Sequence, residues 1–536
     1  MILEYRNNEF SFNGKALKYK NKFMLVPDNN HNYHIKEGSI EHNERQFVLV
    51  DTQTTEVIIN ASWFGEYPMF YFIRPHLIII SSSYKALLES LPAEDLKLLA
   101  FDHTAIYESL LFNAILRSRT FFENIKKIIS GKKLIINAQT CETKEEQCFI
   151  LPFNKGEEIS GNEDTLIQQA ADIYEQLVLP EKTQAKNILL PLSGGFDSRL
   201  LACLMKKNDI DFHSITFGTK ESTEPFIARK IAKSLDVNLD YLELKDEYYD
   251  HWGDEVTKLT GGLSNHRHCH MYACMSEHNI GSEHIMHGFL GDVYAGASQP
   301  NSALNFSMSS DEAINTYIKK HTENSWVWKQ MCEAEKDNVT ADLMEIMTEN
   351  NSVNLPCHFD EYVHNVDRQF ALIANVFTPI EQFGNVIRPF ANKDYALFFN
   401  TLPFEYRNNR KLFKQACLKL FPKEFSLGNQ DQIYQDNSFK GKLENLLSKY
   451  YSKVAYSTLK YSKGKFVIRN PKAIERHNEL LFTTLNEKLN QAILPISKLL
   501  GKDLNYLKVL NSDLQGQYGV LALDVLREEI NRLRRV

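Results

Sequence analysis

The sequence predicts a chain of two folded halves, an antiparallel-rich α+β domain and then an α/β domain with a parallel sheet, continued by a helical C-terminal part. Three observations carry that prediction. Short β-branched and aromatic runs, Phe47-Val48-Leu49-Val50, Val57-Ile58-Ile59 and Leu77-Ile78-Ile79-Ile80, alternate with Asn, Gly, Pro and Ser clusters in the first 150 residues, the pattern of antiparallel strands and turns. From Thr165 onward, apolar segments switch between helical and strand spacing, as a sheet wound with helices requires. From about Ala303 helical spacing dominates, broken at Pro356, Pro379, Pro389, Pro403 and Pro422, and in the last hundred residues at Gly464 and Pro471.

The elements follow in order. Ala86 to Ala114 carries apolar residues at mixed three- and four-residue spacing, which fits one or two helices packed on the first sheet. Asn154 to Asp164 holds two glycines and four carboxylates with no apolar period, so it reads as a linker. Thr165–Leu179 then reads as an amphipathic helix, Asn187–Leu192 as a short buried strand and Arg199–Lys207 as a helix. Phe212–Phe217 is the next strand, Pro225–Leu235 the next helix and Asp240–Leu244 a third strand.

A length of 536 residues allows about three domains. The 61 basic and 68 acidic side chains leave a net charge of −7, which provides no global field for nucleic acid or anionic lipid. The start, Met1-Ile2-Leu3-Glu4-Tyr5-Arg6, lacks the features of a secretory signal, and no apolar run approaches the ~18 residues of a membrane span. The expectation is a soluble cytoplasmic protein. The eight cysteines include no Cys-x-x-Cys pair, so free thiols are expected rather than a zinc ribbon or a disulfide framework.

The stretch that points to chemistry is Leu190-Pro191-Leu192-Ser193-Gly194-Gly195-Phe196-Asp197-Ser198, a Ser-Gly-Gly-x-Asp-Ser loop between a buried strand and a helix. Two glycines let the backbone turn tightly and aim successive N–H groups at one oxyanion, with the helix N-terminus behind them. Ser193 and Ser198 offer hydroxyl donors, and Asp197 can hold Mg²⁺ against phosphate oxygens. The competing reading is a plain Gly-Gly turn with serine caps; the strand-loop-helix context favours pyrophosphate.

This loop resembles the PP-loop of ATP pyrophosphatases, which split ATP between its α and β phosphates. Met286-His287-Gly288-Phe289-Leu290-Gly291-Asp292-Val293-Tyr294-Ala295-Gly296 resembles the second loop of asparagine synthetases, although Leu290 replaces that family's second glycine and Val293 its usual Glu. Ile215-Thr216-Phe217-Gly218 resembles the strand end that receives adenine, and Glu224–Ala232 the helix after it. Arg388-Pro389-Phe390-Ala391-Asn392, Leu402-Pro403 and Arg410-Lys411-Leu412-Phe413-Lys414 resemble the family's later blocks. Gly65–Tyr71 and Ser81–Leu87 resemble strings of its amino-terminal half, so the similarity runs over roughly residues 45 to 430.

The resemblance implies an N-terminal-nucleophile (Ntn-hydrolase-like) glutaminase fold for 1–155, a PP-loop ATP-binding domain of the adenine nucleotide α-hydrolase-like type for 165–435, and a helical extension for 436–536. It implies ATP and Mg²⁺ as cofactors, with Leu192, Ser193, Gly194, Gly195, Asp197, Ser198, Phe217 and Gly288 at the nucleotide, Asp197 and Asp292 at the metal, and Lys411, Lys414 and Arg388 in catalysis. The implied reaction adenylates a small-molecule or peptide carboxylate, releases pyrophosphate, and forms an amide with ammonia or another amine. An intramolecular amide former like β-lactam synthetases or lasso-peptide cyclases, and a nucleotide-binding scaffold, are the alternatives. Neither membrane nor nucleic acid is an expected partner, and a homodimer stays open.

The chain departs from that family in places. Residue 2 is Ile where glutamine-hydrolysing members carry the nucleophilic Cys, so a glutaminase fold without glutaminase activity is expected. Aligned on Pro389-Phe390, Ile387 holds the family's Arg position with Arg388 one place later, and Asn385 stands where many members have Glu. The later Lys string is replaced around Gln430-Asp431-Gln432-Ile433. Arg199 is larger than the residue usual there, and could bind a substrate carboxylate or pair with a helix neighbour. His266-Arg267-His268-Cys269-His270 reads as a polar loop near the substrate rather than a zinc site. Lys440–Lys472, with eight lysines, one arginine and one glutamate, reads as a solvated basic face rather than a nucleic-acid site.

Overall fold

The computed structural model describes residues 1–25, 46–152, 161–178, 187–349, 355–428 and 480–535, with single positions and short stretches inside these ranges left out and a few positions described between 450 and 462. The linker core at 154–160, the string at 430–433, nearly all of the basic segment 440–472, Gly464 and Pro471 lie outside the described residues.

The β-branched and aromatic runs of the first half pair into two antiparallel sheets. One orders Glu9–Asn13, Ile2–Arg6, Leu77–Ser81, Phe70–Arg74 and Ile125–Lys127; the other orders Thr143–Gln147, Lys132–Asn137, Glu56–Asn60, Phe47–Asp51, Lys22–Leu25 and Ala16–Tyr19. Alternate residues face opposite sides, so Leu3, Tyr5, Ile78 and Ile80 of the first sheet meet Val48, Val50, Val57, Ile59, Leu134 and Ile136 of the second in one apolar layer. The other face of the first sheet, Phe70, Phe72, Leu77 and Ile79, packs on helices and joins the main core. Being covered on both faces, Leu77–Ser81 is buried throughout and reads as a continuous apolar run.

The segment expected to hold one or two helices forms three, Tyr84–Ser90, Ala93–Leu98 and His103–Phe112. Pro92 starts the second, and the Asp102 side chain caps the third by accepting the Ala105 N–H, so the interruptions are made by cap chemistry to which apolar periodicity is blind.

In the second half the expected strands and helices appear within three residues of their forecast ends: Glu163–Gln176, Ile188–Pro191, Phe196–Lys207, Phe212–Gly218, Thr223–Leu235 and Leu239–Glu243. The sheet is parallel and five-stranded, ordered Leu239–Glu243, Phe212–Gly218, Ile188–Pro191, His284–Met286, Asn385–Ile387. The last of these strands lies in a region that reads as helical, being only three residues long. Four of the five prolines fall at helix ends, Pro403 before Phe404–Arg407, Pro422 opening Pro422–Phe425, Pro356 in the first turn of Leu355–Val363 and Pro379 in the last turn of Ala374–Ile380, while Pro389 lies in the turn after the strand Asn385–Ile387.

The strand order places the chain reversal at the centre. From Ile188–Pro191 the chain winds outward through Phe212–Gly218 to Leu239–Glu243, then returns to the other side of the start at His284–Met286. The loops leaving Ile188–Pro191 and His284–Met286 therefore diverge at a topological switch point, where parallel sheets bind ligands beyond their carboxyl ends.

The last helix, Leu514–Leu533, packs into the junction of the halves. A Cβ at Gly519 would fall 2.5 Å from Leu110 of the first half, and one at Gly262 would fall 2.6 Å from Leu526. Among the described residues no helix is long and apolar enough to cross a membrane.

Candidate functional site

The switch point gathers the Ser-Gly-Gly-x-Asp-Ser loop. Leu192 is buried and its N–H extends the sheet ladder to the Ile215 carbonyl at 2.8 Å. Ser193, Gly194 and Gly195 then turn into the helix that begins at Phe196. The loop ties itself together: the Ser193 N–H donates to Ser198 Oγ at 3.0 Å, the two serine hydroxyls meet at 3.0 Å, and the Gly195 N–H donates to Ser193 Oγ at 3.1 Å. The serine hydroxyls thus first shape the loop.

Facing it is the turn after His284–Met286. A Cβ on Gly288 would fall 2.9 Å from Asp197 Cβ and 3.0 Å from the Ser198 nitrogen, and one on Gly291 would fall 2.6 Å from Asp197 Cγ. Gly288 and Gly291 leave no room for a side chain because this turn lies directly on Asp197. Leu290, standing where a glycine resemblance was expected, holds a left-handed φ of 73°, a conformation costing a non-glycine residue roughly 1 kcal/mol.

The close approach brings two carboxylates together. The Asp292 N–H donates to Asp197 Oδ2 at 3.1 Å, while Asp197 Oδ1 is buried with no hydrogen-bond partner. Burial, then the neighbouring Asp292 carboxylate, push Asp197 well above the usual carboxylate range, and Arg410 draws it back only in part; burial raises Asp292 as well. Arg410 Nη1 lies 3.3 Å from Asp292 Oδ2. Below the pair, Tyr395 donates its hydroxyl to the Gly291 carbonyl, and Tyr174 and Cys417 are buried close by. Two converging carboxylates with a buried orphan oxygen fit a hard divalent cation that completes its shell with phosphate oxygens and water. No cluster of three or more ligating side chains is found among the described residues.

The other forecast residues divide. Phe217 is the last residue but one of its strand, with its ring 5.5 Å from His270. Arg388 is buried at the junction: it donates to the Val386 carbonyl at 3.2 Å, pairs with Glu381 at 2.8 Å and lies 4.6 Å over the Tyr67 ring of the first half. It stays within electrostatic reach of His287, which burial, then Arg388 and His270, pull down to about 3. Lys411 is exposed and paired with Glu163 at 2.7 Å, away from the carboxylates; Lys414, half-buried, sits one turn along the same helix.

Arg199 fills neither forecast role. It is fully buried and donates to four main-chain carbonyls, Gly194 at 2.9 Å, Gly428 at 2.8 Å, and Glu424 and Leu427 at 3.1 Å each. The histidine-rich stretch forms a 3-10 turn, His266–His268, leading into the helix His270–Glu277, with His266 fully buried 2.9 Å from Asp254. Sequence reasoning missed Arg410 and Tyr395 as site residues. The signal for Arg410 is the Asn408-Asn409 pair before it: Asn409 and Arg410 both adopt left-handed backbone, with φ 52° and 59°, and that kink aims the guanidinium at Asp292.

Residues 45–147 match the family model of a glutamine amidotransferase domain, which spans most of the two antiparallel sheets and the three helices beside them. This part of the chain is therefore similar to an amidotransferase domain, in keeping with an enzyme that acts on amide nitrogen. Among curated proteins none matches the chain.

Proposed function

We propose that this protein is an ATP-dependent amide-forming ligase, in which the switch-point loop binds the phosphates of ATP and a substrate carboxylate attacks the α-phosphorus. The observation that carries the reading is the buried, unpartnered Asp197 Oδ1 beside Asp292, at the mouth of a glycine-rich strand-loop-helix. The amidotransferase-like match at 45–147 supports the nitrogen half of the chemistry.

In this reading the Gly194 N–H and the start of the helix Phe196–Lys207 receive the β and γ phosphates, the Ser193 and Gly195 N–H groups being spent on the shape of the loop. Asp197 and Asp292 would hold Mg²⁺, which when bound neutralises phosphate charge as pyrophosphate leaves. Arg410 steadies Asp292 from the opposite side. The carboxylate oxygen bonds to the α-phosphorus and the bond to pyrophosphate breaks, giving an acyl-adenylate. An amine, ammonia or an organic one, then attacks the acyl carbon, loses a proton and displaces AMP. Pre-oriented donors and a shielded carboxylate pair provide positioning and charge stabilisation.

The test is exchange of labelled pyrophosphate into ATP with pools of carboxylic acids, aspartate included, and Asp197→Ala as control. Acid-dependent exchange lost in the variant is the expected result. A second reading, a nucleotide-binding scaffold, is favoured by the occupied donors of Arg388 and the surface pairing of Lys411. ATP binding without exchange for any acid would select it.

A further inference from the structure

We propose that Arg199 is a positioning residue for the phosphate loop, holding its backbone in an anion-binding shape and placing an uncompensated positive charge behind it. The inference rests on the nucleotide reading above and specifies that the loop selects a diphosphate or triphosphate group.

The two terminal nitrogens of Arg199 donate only to the main chain. Its four acceptors are main-chain oxygens, and among the described residues no carboxylate pairs with it. Glu424, which offers its carbonyl, has its own carboxylate bonded to the Ser234 hydroxyl at 2.6 Å. The Phe196 and Phe425 rings flank the guanidinium at 5.1 and 5.4 Å and exclude water. Carbonyl dipoles solvate a buried guanidinium without cancelling its charge, and a buried charge is normally matched by an opposite one. Of its four acceptors, the Gly194 carbonyl belongs to the loop.

The contacts also shape the loop. Arg199 draws the Gly194 carbonyl inward, and the N–H of that same peptide, on Gly195, points the other way into Ser193 Oγ. Ser193 Oγ meets Ser198 Oγ, which accepts the Ser193 N–H, so one chain of hydrogen bonds runs from the buried cation through the whole turn. The other three carbonyls, of Glu424, Leu427 and Gly428, close the end of the helix Pro422–Phe425. Arg199 therefore joins the loop to the 424–428 segment as one unit. A neutral side chain of similar length would fill the space but provide neither the donors nor the field.

The experiment titrates inorganic pyrophosphate and Mg-ATP by calorimetry into the full-length protein and its Arg199→Met and Arg199→Lys variants, alongside pyrophosphate-exchange kinetics. Arg199→Met should weaken pyrophosphate binding by about tenfold or more and raise the KM for ATP more than it lowers kcat, because a charge and a preset shape are lost while the carboxylates remain. Arg199→Lys should recover part of the binding, which a purely space-filling role would not produce. Should Arg199→Met fail to fold, Arg199→Lys carries the test, since its ammonium reaches fewer of the four carbonyls and its affinity must fall between wild type and about a tenfold loss. Variants that bind pyrophosphate as tightly as wild type overturn the inference and leave the ligase reading intact. Wild type that binds pyrophosphate through Arg199 but exchanges with no acid overturns the ligase reading and leaves the inference standing. Wild type that binds neither ligand overturns both.

Discussion

The junction between the halves and the switch point of the parallel sheet both concentrate charge, but they finish it differently. At the junction Arg117, Arg119 and Lys132 each pair with carboxylates, and Lys127 alone among these cations is held by carbonyls. Arg117 accepts no gap: its N–H and Nη1 engage Asp367 at 2.8 and 3.4 Å, and it pairs further with Glu345 and Glu349. Arg119 bridges Asp102 at 2.9 Å and Asp342, Lys132 pairs with Glu145 at 3.0 Å and with Glu349, and Lys127 is caged by the carbonyls of Ile115, Arg117 and Arg119. At the switch point Asp197 keeps an orphan oxygen, Arg199 has carbonyls but no carboxylate, and Asp292 has a single cation at 3.3 Å. Charges completed within the protein hold parts together, whereas charges left incomplete and desolvated are poised for a ligand.

The largest expected contrast tests that distinction directly. Asp197→Ala should lower pyrophosphate exchange by at least about 10²- to 10³-fold while leaving the thermal midpoint unchanged or raised, because an unmatched buried carboxylate is removed. Asp367→Ala should do the reverse, costing about 1–3 kcal/mol of stability by leaving the buried Arg117 N–H unpaired and removing one of the three carboxylates around its guanidinium, with exchange per folded molecule retained. Denaturant unfolding and exchange assays on both variants check the pair. If Asp197→Ala loses stability and Asp367→Ala does not, the two regions are not different in kind.

The pH dependence sharpens the same contrast, with opposite signs. The Asp197 carboxyl is raised above its unfolded value, so its stabilising contribution is complete below the ordinary carboxylate range and is lost as pH rises through the raised folded value. Asp197→Asn should therefore be more stable than wild type near pH 7, and the gap should close on acidification. Asp254 behaves as a completed charge: burial opposes its ionisation, but contacts with His266 and Lys488 outweigh this and hold it at about 2. Its contribution is present above the ordinary carboxylate value and is lost as pH falls toward about 2. Asp254→Asn should cost stability at neutral pH and progressively less as pH falls toward about 2. Thermal scans of both variants from pH 7 to pH 2.5 read the two signs.

The same difference explains what could be read from the chain alone. The glycine-rich loop, the strands around it and the parallel sheet were legible because their signals are local: Gly194-Gly195 between a buried strand and a helix, and apolar spacing that alternates between strand and helix. Completed and incomplete charge were not legible, because partners come from far along the chain. Asp292 meets Asp197 from 95 residues away, and Arg410 meets Asp292 from 118. Arg199 gave no hint of its role, since its acceptors are main-chain oxygens that any residue could present. Asn385–Ile387 escaped because three residues are too few to show a period. Gly288 was noticed, but its cause, the 2.9 Å approach to Asp197, exists only in the fold.

The smallest expected effect concerns Lys411, and it separates family resemblance from geometry. Resemblance places this lysine in catalysis, whereas its ammonium lies exposed against Glu163, 2.7 Å away, at the start of the helix Glu163–Gln176. An exposed pair of this kind is worth at most about 1 kcal/mol. Lys411→Ala should leave pyrophosphate exchange within about twofold of wild type, and Arg410→Ala, one residue earlier, should lower it about tenfold through the loss of a partner for Asp292. The backbone decides between the neighbours: the left-handed turn at Asn409-Arg410 sends one side chain to the carboxylate pair, and the helix that begins at Lys411 sends the next to the surface. A Lys411→Ala variant that loses exchange with Arg410→Ala unaffected would mean that the helix Lys411–Leu420 turns its other face to the site when substrate binds, and that the incomplete charge at the switch point is closed by Lys411.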